Sequence, residues 1–324
     1  MTDKTNLQEL LLDPHLCEDL PKGRPNAAHL HAVGFAGSGG IARALLRRRR
    51  TSEMLMLAEW TCQPHDRLAL ADRVQAFAKA SDARLIRANE DQADAIDALG
   101  LIDTGRGYAQ RWIGDAIRSQ HQTGRFIQTT GFTCGPVSIA MALGESVTRM
   151  QEMTLWREAT TVIGLTGPGG CDPYGLALAA ARQGLKPEIF FDSEGPILLD
   201  RADTEAKRDL MRFVQTGFKE EADRSLPVHR RALSAEELTA AVRSGAQVVL
   251  LIDQCHTHDH HAPHWILVHA ELDGVFLIND PWAEPEDDET VCDVDCMPVR
   301  LERLIEMASY GNPAYRAALV LHSR

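Results

Sequence analysis

Apolar and polar positions follow two regimes along the chain. Between residues 28 and 115, short apolar runs alternate with helical spacings. Leu30 to Phe35 predicts a strand that leads through Gly37-Ser38-Gly39-Gly40 into a helix over Ile41 to Arg50, and Met54 to Trp60 predicts a buried strand. Arg67 to Ala80 carries Leu68, Leu70, Val74 and Phe77 near one face, the spacing of an amphipathic helix. A strand over Arg84 to Arg87, a helix over Gln92 to Leu99 and an extended piece over Tyr108 to Ile113 complete a βαβα-like alternation. That alternation predicts a small α/β unit.

From about residue 116 the pattern changes. Phe126 to Thr133 holds a Thr-Thr-Gly turn, after which Cys134-Gly135-Pro136 opens an apolar helix through Leu143. Proline suits a helix start because its missing N–H would have no intrahelical partner there. A glycine-rich turn, Gly167 to Gly170, precedes Cys171-Asp172-Pro173 and an Ala/Leu helix over Gly175 to Arg182; residues 187–234 are mixed and charged. Ser234 with Glu237 has the pattern of a capping box at the head of a helix ending at Arg243. Val248 to Ile252, His264 to Ala270 and Val275 to Ile278 predict strands, the last two joined by a tight turn at Leu272-Asp273-Gly274. Val299 to Met307, after Pro298, predicts a helix, and Arg316 to His322 a closing strand. A helix with one special residue followed by a mostly antiparallel sheet is an α+β plan. The expected organisation is a polar arm over 1–25 with Pro14, Pro21 and Pro25, a small α/β domain over 26–115, and an α+β domain over 116–324.

Composition narrows the class. Of 324 residues, 44% are hydrophobic, enough for a filled core. Lys plus Arg number 34 against 46 Asp plus Glu, a net charge of −12. Wrapping a nucleic-acid backbone needs the opposite sign, so no nucleic-acid partner is expected. No apolar run approaches the roughly 18–20 residues of a spanning helix, so no membrane partner is expected either. Residues 1–21 lack the apolar core and cleavage site of a secretory signal. Seven cysteines, an odd number without framework spacing, fit reduced thiols in a cytoplasm. A cysteine in that setting is a candidate for catalysis.

Cys134 is the strongest such candidate. At a helix N-terminus, backbone N–H groups and the helix dipole favour a thiolate, the form that attacks carbonyls. His264 begins a strand, and Asp280 ends the next one, in Asn279-Asp280-Pro281-Trp282. Two strands joined by a tight turn bring their far ends together. A carboxylate there can hold one imidazole nitrogen and leave the other for the thiol. Gln128, six residues before Cys134, can donate its amide to a developing oxyanion beside the Cys134 N–H.

This set resembles a known family. Gln128-x5-Cys134-Gly135, His264 opening a strand and Asp280-Pro281 sixteen residues later resemble the C39-type branch of the papain-like cysteine peptidases, most closely stand-alone C39-like proteins of bacteria. Leu155-Trp156-Arg157-Glu158-Ala159-Thr160, Gly169-Gly170-Cys171-Asp172-Pro173-x-Gly175-Leu176, Ala262-Pro263-His264-Trp265 and Met307-x-x-Tyr310-Gly311 are similar to that subgroup too. The resemblance covers about residues 120–322. It implies a papain-like fold in which a helix bearing the cysteine packs on an antiparallel sheet bearing His and Asp. It also implies Cys134 as nucleophile, His264 as general base and acid, Asp280 as orienter and Gln128 as oxyanion donor. Gly135, Trp265 and Trp282 are candidate substrate contacts, the substrate is a peptide or small amide, and no cofactor or metal is required. Better-known members cut leader peptides after a double glycine as domains of export transporters. Here no transporter segment follows and the stretch from Cys171 to His264 is long, so that specificity is not carried over.

Three rival functions stand beside this one. An acyltransferase would use the same triad with an amine acceptor. A silent peptide-binding module would keep the fold without needing all four residues. A metal protein would use Cys255-His256-Thr257-His258-Asp259-His260-His261, with Cys292-x3-Cys296 downstream. The acidic stretch Glu284 to Glu289 reads as a solvated loop, or as an attraction for a basic substrate segment. Arg47 to Arg50 reads as cations at a helix end. Gly34-x-x-Gly37-x-Gly39-Gly40, between a strand and an expected helix, resembles the acyl-CoA loop of GNAT acetyltransferases, in a unit too short for a complete one; the competing explanation is a tight turn.

Overall fold

The computed structural model describes residues 30–37, 40–144, 146–161, 169–258 and 260–322. The arm over 1–25, Ser38, Gly39, Gly167 and Asp259 therefore lie outside the described residues. The chain forms two compact units: Met1–Ala116 together with Glu284–Asp293, and Ile117–Ala283 together with Val294–Arg324.

The first unit is a six-stranded sheet, in the order β1-β2-β3-β4-β6-β5. β1 (Leu30–Gly37) and β2 (Gly40–Arg47) form an antiparallel hairpin. The helix expected over Ile41 to Arg50 is thus a strand. Ala42, Ala44 and Leu46, two residues apart, enter the core, and Ile41 is left 47% exposed. Ala, Leu and Arg favour helix, but cross-strand pairing overrides that weak preference. A Cβ on Gly34 would collide with the Ala42 carbonyl oxygen of the partner strand. Gly34 serves this close approach, and without a following helix the glycine pattern has no helix N-terminus to cradle a pyrophosphate.

β3 (Met54–Thr61) runs parallel to β4 (Leu85–Asn89) through the crossover helix α1 (Arg67–Ala80). Leu70, Val74 and Phe77 are buried as expected, whereas Leu68 is 64% exposed. α2 (Ala93–Leu99) ends on Gly100 at φ 62°, the left-handed cap that favours glycine. β5 (Ile102–Asp103) and β6 (Tyr108–Trp112) close the sheet.

Three arginines in or just beyond the strands of this sheet anchor Glu284–Asp293. Arg47 Nε and Nη2 donate to Asp293 Oδ1 at 2.9 and 2.6 Å. Arg49 pairs with Glu289, both side chains nearly inaccessible. Arg87, fully buried, lies over the Tyr108 ring at 3.9 Å and donates to the Cys292 carbonyl at 2.6 Å. The basic run is therefore not at a helix end, and the acidic stretch is only partly solvated.

The second unit centres on a seven-stranded sheet, in the order β12-β11-β10-β9-β13-β7-β8. Its strands, in chain order, are β7 (Lys186–Phe191), β8 (Val228–His229), β9 (Gln247–Asp253), β10 (Pro263–Leu272), β11 (Val275–Asn279), β12 (Met297–Arg300) and β13 (Ala317–His322). All neighbours pair antiparallel except β7 with β8. Helices α3 (Cys134–Leu143), α4 (Arg149–Ala159), α5 (Pro173–Arg182), α6 (Glu205–Ser225), α7 (Ala235–Arg243) and α8 (Leu301–Met307) complete the unit, an α+β architecture. Val249 and Leu251 pack in one core with α3 and α5, while Val248, Leu250 and Ile252 pack in the other with α7 and α8. Burial on both faces explains why β9 reads as one continuous apolar run.

Two elements depart from expectation. The mixed stretch 187–234 contains α6, a 21-residue helix started by Thr204, whose side chain accepts from Lys207 N. The helix expected over Val299 to Met307 begins only at Leu301, because Met297–Arg300 pairs with β11 as an edge strand, where Pro298 is tolerated. The turn between β10 and β11 has Asp273 at φ 51° and Gly274 at φ 76°, the geometry of a two-residue hairpin turn.

Candidate active site

The first residue of α3 is Cys134, 9% exposed. Gly135 follows it, and a Cβ there would meet Leu176 Cδ1 at 2.7 Å and Trp265 Cδ1 at 3.2 Å. Its lack of a side chain lets α3 sit close to α5 and β10. Ser138 Oγ, one turn on, donates to the Trp265 carbonyl at 3.1 Å and fixes the helix to the strand that carries His264.

His264 and Asp280 meet in the interior. His264 Nε2 lies 2.6 Å from Asp280 Oδ1, with both side chains almost wholly buried. The Cys134 thiol lies beside the same ring. Burial alone would push the imidazole pKa down; the Asp280 charge and hydrogen bond, with Cys134 beside them, outweigh it and raise it to about 10. Asp280 is itself held, accepting from Trp282 N at 2.8 Å while its own N–H donates to the Val294 carbonyl at 3.0 Å.

Gln128 reaches the same place by a different route. Its backbone N–H donates to the Pro281 carbonyl at 2.8 Å, tying the loop before α3 to the turn after Asp280. Its side-chain Nε2 donates to the Thr130 carbonyl at 2.7 Å, which leaves the second amide hydrogen uncommitted, and its Oε1 is buried without a partner.

One contributor has no motif to announce it. Glu152, in the first turn of α4, is fully buried. It accepts from Thr129 N at 2.8 Å, from Thr129 Oγ1 at 2.8 Å and from Thr133 Oγ1 at 2.5 Å. A single carboxylate thereby pins both ends of the segment between Gln128 and Cys134. The Thr148/Gln151 capping box was the available signal, since it starts the helix and places Glu152 in its first turn.

The cleft beside them has a volume of about 520 Å³, within the range of small-molecule sites. Gln128, Cys134, His264, Trp265 and Trp282 are all on its wall; Gly135 is not, and serves packing instead. Cys171 also lines the cleft, its thiol pKa raised well above the ordinary value by burial first and by Cys134 second. Asp172 caps α5, accepting from Tyr174 N and Gly175 N, and burial raises its carboxyl to about 7 against the pull of those N–H groups.

The histidine-rich loop divides. Asp253, Cys255 and His261 bring ligand-type atoms within 4.8 Å of one another, with His261 Nδ1 at 2.7 Å from Asp253 Oδ2. His258 and His260 instead stack on each other, and His260 Nε2 lies 3.1 Å from Gln254 Oε1. Cys292 lies in the first unit and Cys296 in the second. Among the described residues, no helix is long and apolar enough to cross a membrane.

The sequence profile described as Peptidase_C39 like family matches residues 125–322, more than half of the chain. No curated protein matches the chain. Two solved structures are similar. One is the peptidase domain of Streptococcus ComA, a bi-functional ABC transporter involved in a quorum sensing pathway, at 14% identity over 63% of this chain and 100% of that one, with a TM-score of 0.32. The other, described as a C39-like peptidase from Bacillus anthracis, is 13% identical over 65% of this chain and 99% of that one, with a TM-score of 0.37.

Proposed function

The chain belongs to the Peptidase_C39 like family, and from that premise we propose that it is a cysteine hydrolase, a peptidase or amidase working through Cys134, His264 and Asp280. The observation that carries this reading is the buried 2.6 Å contact between His264 and Asp280, with the Cys134 thiol on the same ring at the wall of a cleft.

In the first half-reaction the Cys134 thiolate adds to the amide carbonyl carbon, forming the C–S bond. The developing oxyanion takes hydrogen bonds from the Cys134 N–H and the Gln128 amide. The His264 imidazolium gives its proton to the leaving nitrogen, the C–N bond breaks, and an acyl-enzyme remains. Water then loses a proton to His264 and adds to the thioester, releasing the acid and restoring the thiolate–imidazolium pair. Asp280 holds the ring and stabilises its charged form, and Glu152 holds the loop that positions Gln128 and the Cys134 N–H.

The test is turnover of a mixed peptide library, with products identified by mass spectrometry. Wild-type protein is expected to cleave a subset of peptides, and Cys134→Ser to cleave none of them detectably. Unchanged cleavage by Cys134→Ser sinks the proposal. Product analysis with an added amine separates hydrolysis from acyl transfer, because both share the acyl-enzyme.

A further inference from the structure

The long stretch between Cys171 and His264 builds part of the cleft. A 3-10 turn, Leu199–Arg201, and the first turns of α6 bring Leu198, Arg201, Lys207 and Met211 to its lining. Two of these are cations. Three histidines, His260, His261 and His264, line the same cavity, and among the described residues no carboxylate does. The chain as a whole carries a net charge of −12, so this cleft runs against the sign of the molecule.

Lys207 is also poorly compensated. The Lys207 side chain is only 13% exposed, and its carboxylate neighbour, Asp203, lies 3.8 Å away with a side chain 77% exposed. That is the outer limit of an ion pair, on the solvent side. Arg201 lies beside the Tyr310 phenol with its side chain exposed, and no ion pair joins it to another described residue. A cation held largely out of water without a close counter-charge, as Lys207 is, is costly, and an anion brought to it recovers that cost. Charge of one sign on low-dielectric walls also concentrates oppositely charged ligands.

We infer that the substrate presents a carboxylate beside its scissile amide, held by Arg201 and Lys207. The inference rests on the hydrolase reading for the identity of the reacting bond. Arg201 offers a planar fork matched to a carboxylate, and Lys207 a compact charge. The anionic group is an acidic side chain or a free terminal carboxylate, since both present the same oxygens.

Alkylation of Cys134 tests this without a known substrate. Iodoacetate and iodoacetamide differ by one negative charge, and the ratio of their rates on Cys134, relative to the ratio on glutathione, reads the field in the cleft. In Arg201→Gln/Lys207→Gln the ratio is expected to fall by about tenfold at low salt. The wild-type excess also shrinks as salt rises, because exposed charges are screened beyond about 10 Å at 0.1 M. A ratio equal in wild type and double variant overturns the inference. A slow iodoacetamide rate, in contrast, counts against the hydrolase reading alone.

Binding to Cys134→Ala provides a second arm that needs no reactive thiol. Three acetylated peptides are compared: one with Glu and an amidated end, one with Gln and a free end, and one with Gln and an amidated end. Tighter binding of either acidic peptide, lost in the double variant, supports the inference and tells side chain from terminus. Equal binding of all three contradicts it.

Discussion

Both units bury charged side chains, and around its cleft the C-terminal unit uses them in the opposite way to the N-terminal one. In the N-terminal unit, Arg47, Arg49 and Arg87 end on Asp293, Glu289 and the Cys292 carbonyl, so each has its main partner within the unit. In the C-terminal unit, His264 is paired on one side only by Asp280, and Cys134, Gln128 and Lys207 border a cavity. A closed set of partners fixes a fold. A set left open on a cavity is what chemistry needs, because the missing partner is the ligand.

The largest effect that can break this contrast is on turnover. Cys134→Ala and His264→Ala should each lower the rate by several orders of magnitude, and the pair together little further, because residues acting as a unit are not additive. Rates of the single and double variants check it; additive losses would mean the two do not act together.

Next come the closed pairs. Asp293→Asn should cost about 3–5 kcal/mol, because it leaves Arg47 buried beside a neutral partner. Replacing both, as Arg47→Met/Asp293→Leu, should cost far less. Hydrogen exchange in β2 and β3 measures both, and an equal cost would mean that the side chains matter for packing rather than for charge.

The His264–Asp280 pair should leave a mark on stability against pH. A histidine raised from about 6.5 to about 10 favours the folded state fully below pH 6.5, and that contribution is lost as pH rises toward 10. The loss is on the order of a few kcal/mol. Denaturant midpoints at pH 6, 8 and 10 should fall in wild type and stay flatter in Asp280→Asn; parallel curves would contradict the pairing.

The smallest effect concerns Glu152. Glu152→Gln removes one acceptor from a carboxylate that serves Thr129 twice and Thr133 once, at a cost of about 1–3 kcal/mol. If Glu152 positions the oxyanion loop, kcat should fall with little change in KM. An equal loss of stability with kcat intact would make it structural only.

What could be read from the residues follows the range of each interaction. The helix at Cys134, the helix capped by Ser234 and Glu237, and strands β9 to β11 rest on local periodicity, capping and turn chemistry, and the structure has them where expected. β2 departs from the expected helix: its own residues favour helix, and only the pairing with its neighbours makes it a strand. Arg47 and Asp293 are 246 residues apart, so nothing near either one tells of the other. The same holds for Arg201 and Lys207, whose position on the cleft depends on where a long charged segment folds back. Gln128, Cys134, His264 and Asp280 were legible as a set through spacing and resemblance, whereas Glu152 had only its place in a capped helix.

The most direct measurement is the rate at which iodoacetamide alkylates Cys134 near pH 6, read by mass spectrometry in wild type and in His264→Ala. With Asp280 holding the His264 ring on one side and the Cys134 thiol lying on the other, wild type should react far faster than glutathione, and His264→Ala should lose that advantage. A Cys134 that reacts no faster than a free thiol, and equally in both proteins, would contradict the nucleophile at the centre of this account.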